Sequence, residues 1–207
     1  MDDLTRVVDD LARLVGERLR AARRDRGISL GTLADAAGIG KGSLSEIENG
    51  IRNPTLSTLY ALAGALGVPL ATLLAERSGA RIASPGIEAR LLDVSREGGQ
   101  TVEVYRLRIE AGSCHRSVAH GPGVVEHMLV TAGRVLAGRA GEETEAGAGE
   151  AAQWVSDVAH TYTALGGAPV ESVLIIRSPA ATPAGRSGHL IRPAGRRNDQ
   201  QCGEVGP

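Results

Sequence analysis

The stretch IGKGSLSEIENGIRNP, residues 39 to 54, carries Lys41, the single lysine of a chain whose 23 basic residues are otherwise arginine. Its neighbours Gly40, Gly42 and Ser43 are small, and Ser45, Glu46, Asn49 and Arg52 follow within a few positions. Three ammonium donors on a long flexible stem, with hydroxyls and an amide nearby, suit contact with a polar or anionic surface. The elements that hold this stretch decide what that surface is.

Helical punctuation surrounds it. Leu11, Leu14, Val15 and Leu19 recur at helical spacing, and the run stops near Gly27. Ser29 is placed to cap a second helix carrying Leu30, Leu33 and Ala34, which Gly38 closes. Residues 40–48 predict a third helix with Leu44 and Ile47 inward and Gly50 beyond its end. Pro54-Thr55 opens a fourth through Leu56, Leu59, Leu62, Ala63 and Leu66, and Pro69 to Ala75 makes a short fifth. Two helices joined by a Gly-containing turn, the second beginning with small polar residues, follow the helix-turn-helix plan.

Over roughly residues 12–75 the sequence resembles the phage-repressor, or XRE, type of helix-turn-helix domain. Leu33-Ala34, Gly38, Leu44, Ile47-Glu48, Gly50, Pro54, Leu59 and Ala63-Leu66-Gly67 stand at that family's spacings, and Leu30 replaces the glutamine usual at the start of helix 2. The resemblance puts Lys41 in the first turn of a recognition helix, which enters the major groove with its N-terminal residues toward base edges. Lys41 then reaches guanine or phosphate, Gly42 lets the backbone approach, and Ser43 and Ser45 offer short hydroxyls. Glu46 is able to accept from a cytosine amino group, while Asn49 and Arg52 are placed to hold phosphate. Glu48 reads as a packing or capping residue, and the helix 1 arginines as a solvated face.

Composition bounds the rest. The 207 residues suit two small domains; hydrophobic residues make 42%, aromatics 2%, and Phe is absent, so aliphatic side chains must build the core. Net charge is -1, but residues 11–68 hold 8 basic and 5 acidic groups, and residues 81–177 hold 9 and 12. Two cysteines, Cys114 and Cys202, are too few for a disulfide framework, and no leader or membrane-length apolar run is visible. A cytoplasmic setting is the expectation.

After Ser78-Gly79 the hydrophobic period changes from helical to alternating. Val102, Val104, Leu107 and Ile109, then EHMLVTAGRVLAG, AAQWVS and VESVLIIRS, read as strands of an all-β barrel or jelly roll. The expected division is a helical extension at 1–11, the helix-turn-helix domain at 12–76, a linker at 77–84, a sensor barrel at 85–178 and a mobile tail at 179–207. The leading segment presents Leu4, Val7, Val8, Leu11, Leu14 and Val15 on one side of a helix, for packing on the domain or for pairing subunits. His189-Leu190-Ile191 is a short extended piece in the tail.

Residues 85–177 resemble a cupin. Gly112, His120, Glu126 and Gly133 fit the first cupin pattern with Val118 where its first histidine usually stands, and His160 follows a weaker second pattern. The resemblance implies that His120, Glu126 and His160 converge inside the barrel, either as ligands of Fe(II), Zn or Mn or as a polar cluster gripping an organic effector. Strand alternation groups Glu126 with Met128 and Val130 and sends His127 to the other face. Trp154 and Tyr162 line or fill the cavity, and Cys114 and His115 read as turn residues. The leading expectation is a homodimeric, operator-binding regulator, not an enzyme, whose barrel binds a small-molecule effector. The alternative is an oxidative enzyme, because a similar helical-plus-cupin architecture occurs in the non-haem iron epoxidase of hydroxypropylphosphonate.

Overall fold

The computed structural model describes residues 2–179, with side-chain surroundings from residue 11 onward. Five helices come first: α1 (Asp2–Asp25), α2 (Leu30–Ala36), α3 (Lys41–Glu48), α4 (Leu56–Leu66) and α5 (Leu70–Leu73). The caps are those the sequence signals. Ser29 Oγ accepts from Thr32 N at 3.0 Å to start α2, and Thr55 Oγ1 accepts from Thr58 N at 3.2 Å to start α4. Gly67 closes α4 in the left-handed conformation, which costs glycine little.

Packing of the helices turns on one close approach that periodicity does not announce. A Cβ on Gly16 would lie 2.4 Å from the carbonyl oxygen of Ile47, so α1 crosses the end of α3 backbone against backbone. Leu19, Leu33, Leu44, Ile47, Leu59 and Leu62 fill the space between the helices, all at most 2% exposed. The expected boundary at residue 11 is absent, since α1 runs unbroken across it. The apolar side chains expected on its first turns, Leu4, Val7 and Val8, lie outside the described side chains, as do all residues of the tail from Ala180.

Ten strands follow in two antiparallel sheets facing one another. β1 (Arg81–Ser84), β2 (Ile87–Glu97), β3 (Gln100–Ile109), β10 (Val170–Pro179), β5 (Val125–Ala132) and β8 (Ala151–Val155) form one sheet in the order β1-β2-β3-β10-β5-β8. β4 (Cys114–Ser117), β9 (His160–Leu165), β6 (Arg134–Arg139) and β7 (Thr144–Gly147) form the other, in the order β4-β9-β6-β7. This is the cupin-like jelly roll the alternation predicts, with two corrections. The expected linker at 77–84 contains β1, which pairs with β2 from Arg81↔Arg90 to Ser84↔Ile87. Cys114 and His115 lie in β4, not in a turn, because this segment pairs with β9 from Cys114↔Thr163 to Ser117↔His160, which sets the His115 ring inward near Tyr162.

The inward residues of β3 are Thr101, Glu103, Tyr105, Leu107 and Ile109. Val102 and Val104, grouped with Leu107 and Ile109 by hydrophobicity, have the opposite parity and look outward. A carboxylate therefore enters the core at Glu103, where its Oε1 accepts from Ala71 N in α5 at 2.5 Å and from Tyr105 OH at 2.9 Å. Helices and barrel share one continuous apolar core that runs from Val15 and Leu19 to Leu174 and Ile176. Ser57 in α4 meets Ser84 in β1, and Glu76 pairs with Arg96 of β2, so the two parts are tied at several points.

Candidate functional site

Two groups of polar side chains stand apart from this framework. The first lies on α3. Lys41 and Gly42 are exposed at its N-terminus, Ser43, Ser45 and Glu46 are partly exposed, and Leu44 and Ile47 anchor its other face. Among the described residues nothing lies within 4 Å of where a Gly42 Cβ would be, so no packing demand there explains a residue that costs a helix about 1 kcal/mol against alanine. The open space faces solvent. Gly42→Ala is expected to raise thermal stability, by up to about 1 kcal/mol, while weakening operator binding. Melting curves and a duplex titration on the same preparation check the opposed signs.

Beside this face several side chains find partners within the domain. Glu48 is buried and takes both Arg23 nitrogens in a bidentate pair, Nε to Oε1 at 2.6 Å and Nη2 to Oε2 at 2.8 Å, with Arg20 Nε 3.5 Å from Oε2. Part of the helix 1 arginine face is thus a clamp on the recognition helix, not a solvated surface, and the carboxylate lifts the Arg23 guanidinium above its ordinary value. Asn49 caps α3, donating to Ser45 O at 2.8 Å and accepting from Arg20. Its exposed amide is thus engaged within the domain, beside the surface where a phosphate contact was expected. Arg52 Nε donates to Glu46 Oε2 at 2.7 Å, so the residues expected to read cytosine and to hold phosphate engage each other.

That last pair is exposed, and such pairs contribute little to stability. Glu46→Gln releases Arg52 and removes a negative charge from the face. Affinity for non-specific duplex is expected to rise a few-fold at low salt, with the salt dependence steeper by about one phosphate contact. A titration at several salt concentrations measures both.

The second group is interior. Glu126 comes from β5 in one sheet and His160 from β9 in the other, while His120 precedes β5; Glu126 and His160 are buried, and His120 is half-buried as a residue with its side chain 4% exposed. Glu126 Oε1 lies 2.8 Å from His120 Nδ1 and 3.2 Å from His160 Nε2. Met128 and Val130 share the inward face of β5 with Glu126, and His127 does not, as alternation predicts. Val118 is 39% exposed, so the position that usually supplies a further cupin histidine contributes nothing inward.

The outer nitrogens of both rings are tied down. His160 Nδ1 faces Val158 O at 3.1 Å, and His120 Nε2 faces Ser117 Oγ at 3.1 Å. Their inner nitrogens converge on one carboxylate, which Ser156 Oγ and Tyr162 OH also approach, donating to Oε1 at 2.7 Å and to Oε2 at 2.5 Å. The His120 Nδ1 contact is close but lacks hydrogen-bond geometry, leaving a buried ring nitrogen without a bonded partner.

Electrostatics inside the cluster follow from burial and pairing. Burial would push the Glu126 carboxyl up, but the two imidazoles together hold it well below the usual carboxylate range. Burial would likewise lower His160, yet Glu126 and the Val158 carbonyl raise it above an ordinary imidazole; at His120 burial wins and the value falls. His115 is pushed down to about 4 by burial and by the charge on His160, which keeps it neutral.

The donor set fits a divalent metal. Two imidazole nitrogens and a carboxylate oxygen lie within 4.8 Å of one another, the outer nitrogens are held by a carbonyl and a hydroxyl as metal-bound histidines commonly are, and His120 Nδ1 is the orphan that an ion would satisfy. Trp154 and Tyr162 close around His160, their rings 5.8 and 5.4 Å from it.

One contact of this cluster was not foreseen. Tyr60 of α4 stacks on the His120 ring at 3.9 Å with only 9° between the planes. A Cβ on Gly64, one turn further along α4, would sit 3.1 Å from Ala119 O, so the helix approaches the segment before β5 as closely as a bare backbone allows. A small cavity of about 10 Å³, lined by Tyr60, Gly64, Leu70, Glu103 and His120 among others, lies at the same junction.

The helical fold and its exposed recognition helix define a DNA-binding regulator, and comparison with known proteins agrees. A helix-turn-helix family model matches residues 19–73. The HTH-type transcriptional regulator SutR of Escherichia coli is 30% identical over 159 residues, 75% of this chain and 89% of that protein. The immunity repressor protein of Bacillus phage phi105 is 39% identical over 64 residues, 31% of this chain and 44% of that one. A crystal structure of an HTH_3 family transcriptional regulator from Vibrio cholerae superposes with a TM-score of 0.73 at 23% identity, over 83% of this chain and 99% of that chain, and so shares the fold. The chain belongs to the XRE-type helix-turn-helix transcriptional regulators, and a cupin-like β domain follows its helical part. Among the described residues no helix is long and apolar enough to cross a membrane.

Proposed function

We propose that this regulator binds an operator as a dimer and that its barrel senses a divalent metal ion at His120, Glu126 and His160. One recognition helix covers a half-site, and a second copy about one turn of DNA away, roughly 34 Å, supplies the other. Lys41 with Gly42, Ser43 and Ser45 reads bases, and the released form of Arg52 holds phosphate. A cytoplasmic location goes with this reading. The observation that carries it is the Tyr60–His120 stack, in which a prospective ligand side chain lies flat against the helical domain. Binding that reorients the His120 ring moves the surface on which α4 rests. A ligand shifts affinity only as far as it discriminates between two arrangements, and this contact gives it something to discriminate.

Selecting duplexes from a random pool with the intact chain, then titrating the winner, tests the DNA half. Lys41→Ala is expected to weaken operator binding by about 10-fold, as loss of one good base contact does. Equal affinity in that variant would remove Lys41 from the interface.

The two-histidine, one-carboxylate set also favours a second reading, an iron-dependent oxygenase, since that donor combination leaves open positions on Fe(II). Iron-dependent oxygen uptake by the purified protein would support it, and its absence with saturable operator binding would support the sensor.

A further inference from the structure

An arginine row on the outer face of the larger sheet has no role in either group described above. Strand register sets Arg81 opposite Arg90 and Arg90 opposite Arg106, so three like charges stand side by side across β1, β2 and β3. Like charges directly opposite one another destabilise a sheet. Arg108 lies two residues along β3, and with Arg81, Glu88, Arg90 and Arg106 it lines a recess of about 90 Å³.

Glu88 lines the recess opposite Arg108, and the ion pairs gather at the Arg106–Arg108 end. Glu171 takes Arg106 Nε at 3.1 Å and Arg108 Nη1 at 3.0 Å, and Glu110 takes Arg108 Nε at 3.2 Å. Arg81 and Arg90 have no ion pair or hydrogen bond from a side chain among the described residues. Arg90 Nε is shielded from solvent and lacks a hydrogen-bond partner among the described residues.

We infer that this recess is a second binding site, for a small oxyanion of at least two negative charges, of the phosphate or diphosphate class. Guanidinium forks match such oxygens bidentately, and the anion supplies the acceptors that Arg81 and Arg90 lack while cancelling the repulsion along the row. The volume is far below the ~300 Å³ at which sites for larger organic ligands begin, so the phosphoryl group itself is what is held. The site stands on its own observations and does not depend on the metal reading of the barrel.

Calorimetric titration of the full chain with inorganic pyrophosphate, at low salt and without operator, tests this. Saturable one-to-one binding is expected, weakened at least about 10-fold in Arg90→Gln and unchanged in Arg134→Gln, which removes an exposed arginine paired with Glu145 on the other sheet. Without anion, Arg90→Gln is expected to melt at or above the wild-type temperature, because it relieves the like-charge row; Arg81→Gln serves as the second variant. No saturable binding, or an equal loss in Arg134→Gln, would overturn the site. So would a fall in non-specific duplex affinity in Arg90→Gln that pyrophosphate cannot reproduce by competition, since the arginines would then be following a DNA backbone.

Discussion

Saturating zinc should raise the melting temperature of the wild-type chain by about 5–10 °C and leave His120→Ala unmoved. Ligand present at 100 times its dissociation constant adds about 2.7 kcal/mol. In a chain of this size each kcal/mol shifts the midpoint by about 2–4 °C. The effect rests on the converging inner nitrogens of His120 and His160 on Glu126 Oε1, at 2.8 and 3.2 Å, and on the His120 nitrogen that has no full hydrogen bond among the described residues. Alanine at 120 leaves one imidazole and one carboxylate, and affinity for the metal is expected to fall at least about 100-fold. His120→Ala also loses the Tyr60 stack, so its metal-free melting temperature must be compared first. Tyr60→Leu, which keeps all three ligands, should retain the zinc shift. Chelator-treated samples scanned with and without zinc give the answer, and manganese repeats it with a harder ion.

The second large effect is set by pH and belongs to Glu103. Burial raises its carboxyl to about 7, against the hydrogen bonds from Ala71 N and Tyr105 OH that favour the ionised form. Its value in the unfolded chain is the ordinary 4.5. Below pH 4.5 both states hold the proton; between 4.5 and about 7 only the folded state does, so stability falls as pH rises through that window. Above 7 the full penalty applies, on the order of 3 kcal/mol for a shift of this size. Glu103→Gln keeps the shape and the acceptor oxygen and removes the titration. The variant is expected to gain on the wild type steadily from pH 4.5 to 7 and to be the more stable protein at pH 8. Urea unfolding at four pH values measures the difference, and parallel curves for the two proteins would contradict the assignment.

Much of this was legible in the sequence, for local reasons. Ser29, Thr55, Gly38 and Gly67 mark helix ends because capping is decided within a few residues, and the 3.6-residue spacing of Leu44 and Ile47 gives the buried face of α3 directly. Alternation in β5 correctly separated Glu126 from His127. The three cluster residues follow from a family pattern, and the structure brings them within 4.8 Å.

What stayed hidden depends on distant partners. Hydrophobicity marked Val102, Val104, Leu107 and Ile109 as strand without saying which face each takes; register with β10 and β2 turns the two valines outward and brings Glu103 in. No local signal links Arg23 to Glu48, or Tyr60 to His120, which meet only because α1 crosses α3 and α4 lies on the barrel. Gly16 is visible as a glycine in a helix, but the carbonyl it admits is 31 residues away. Arg52 and Glu46 were placed on the right surface, while their engagement with each other is a matter of side-chain reach that spacing does not fix.

Linkage between the barrel and the recognition domain is the central claim, and operator affinity with and without metal measures it. The chelator-treated chain and the zinc-loaded chain are titrated with the same selected duplex, in wild type and in Tyr60→Leu. A change of at least 5-fold in wild type, collapsing toward unity in Tyr60→Leu while that variant still binds zinc, is the expected result. Identical operator affinities for the metal-free and metal-loaded wild type, at zinc concentrations that demonstrably fill the site, would contradict it.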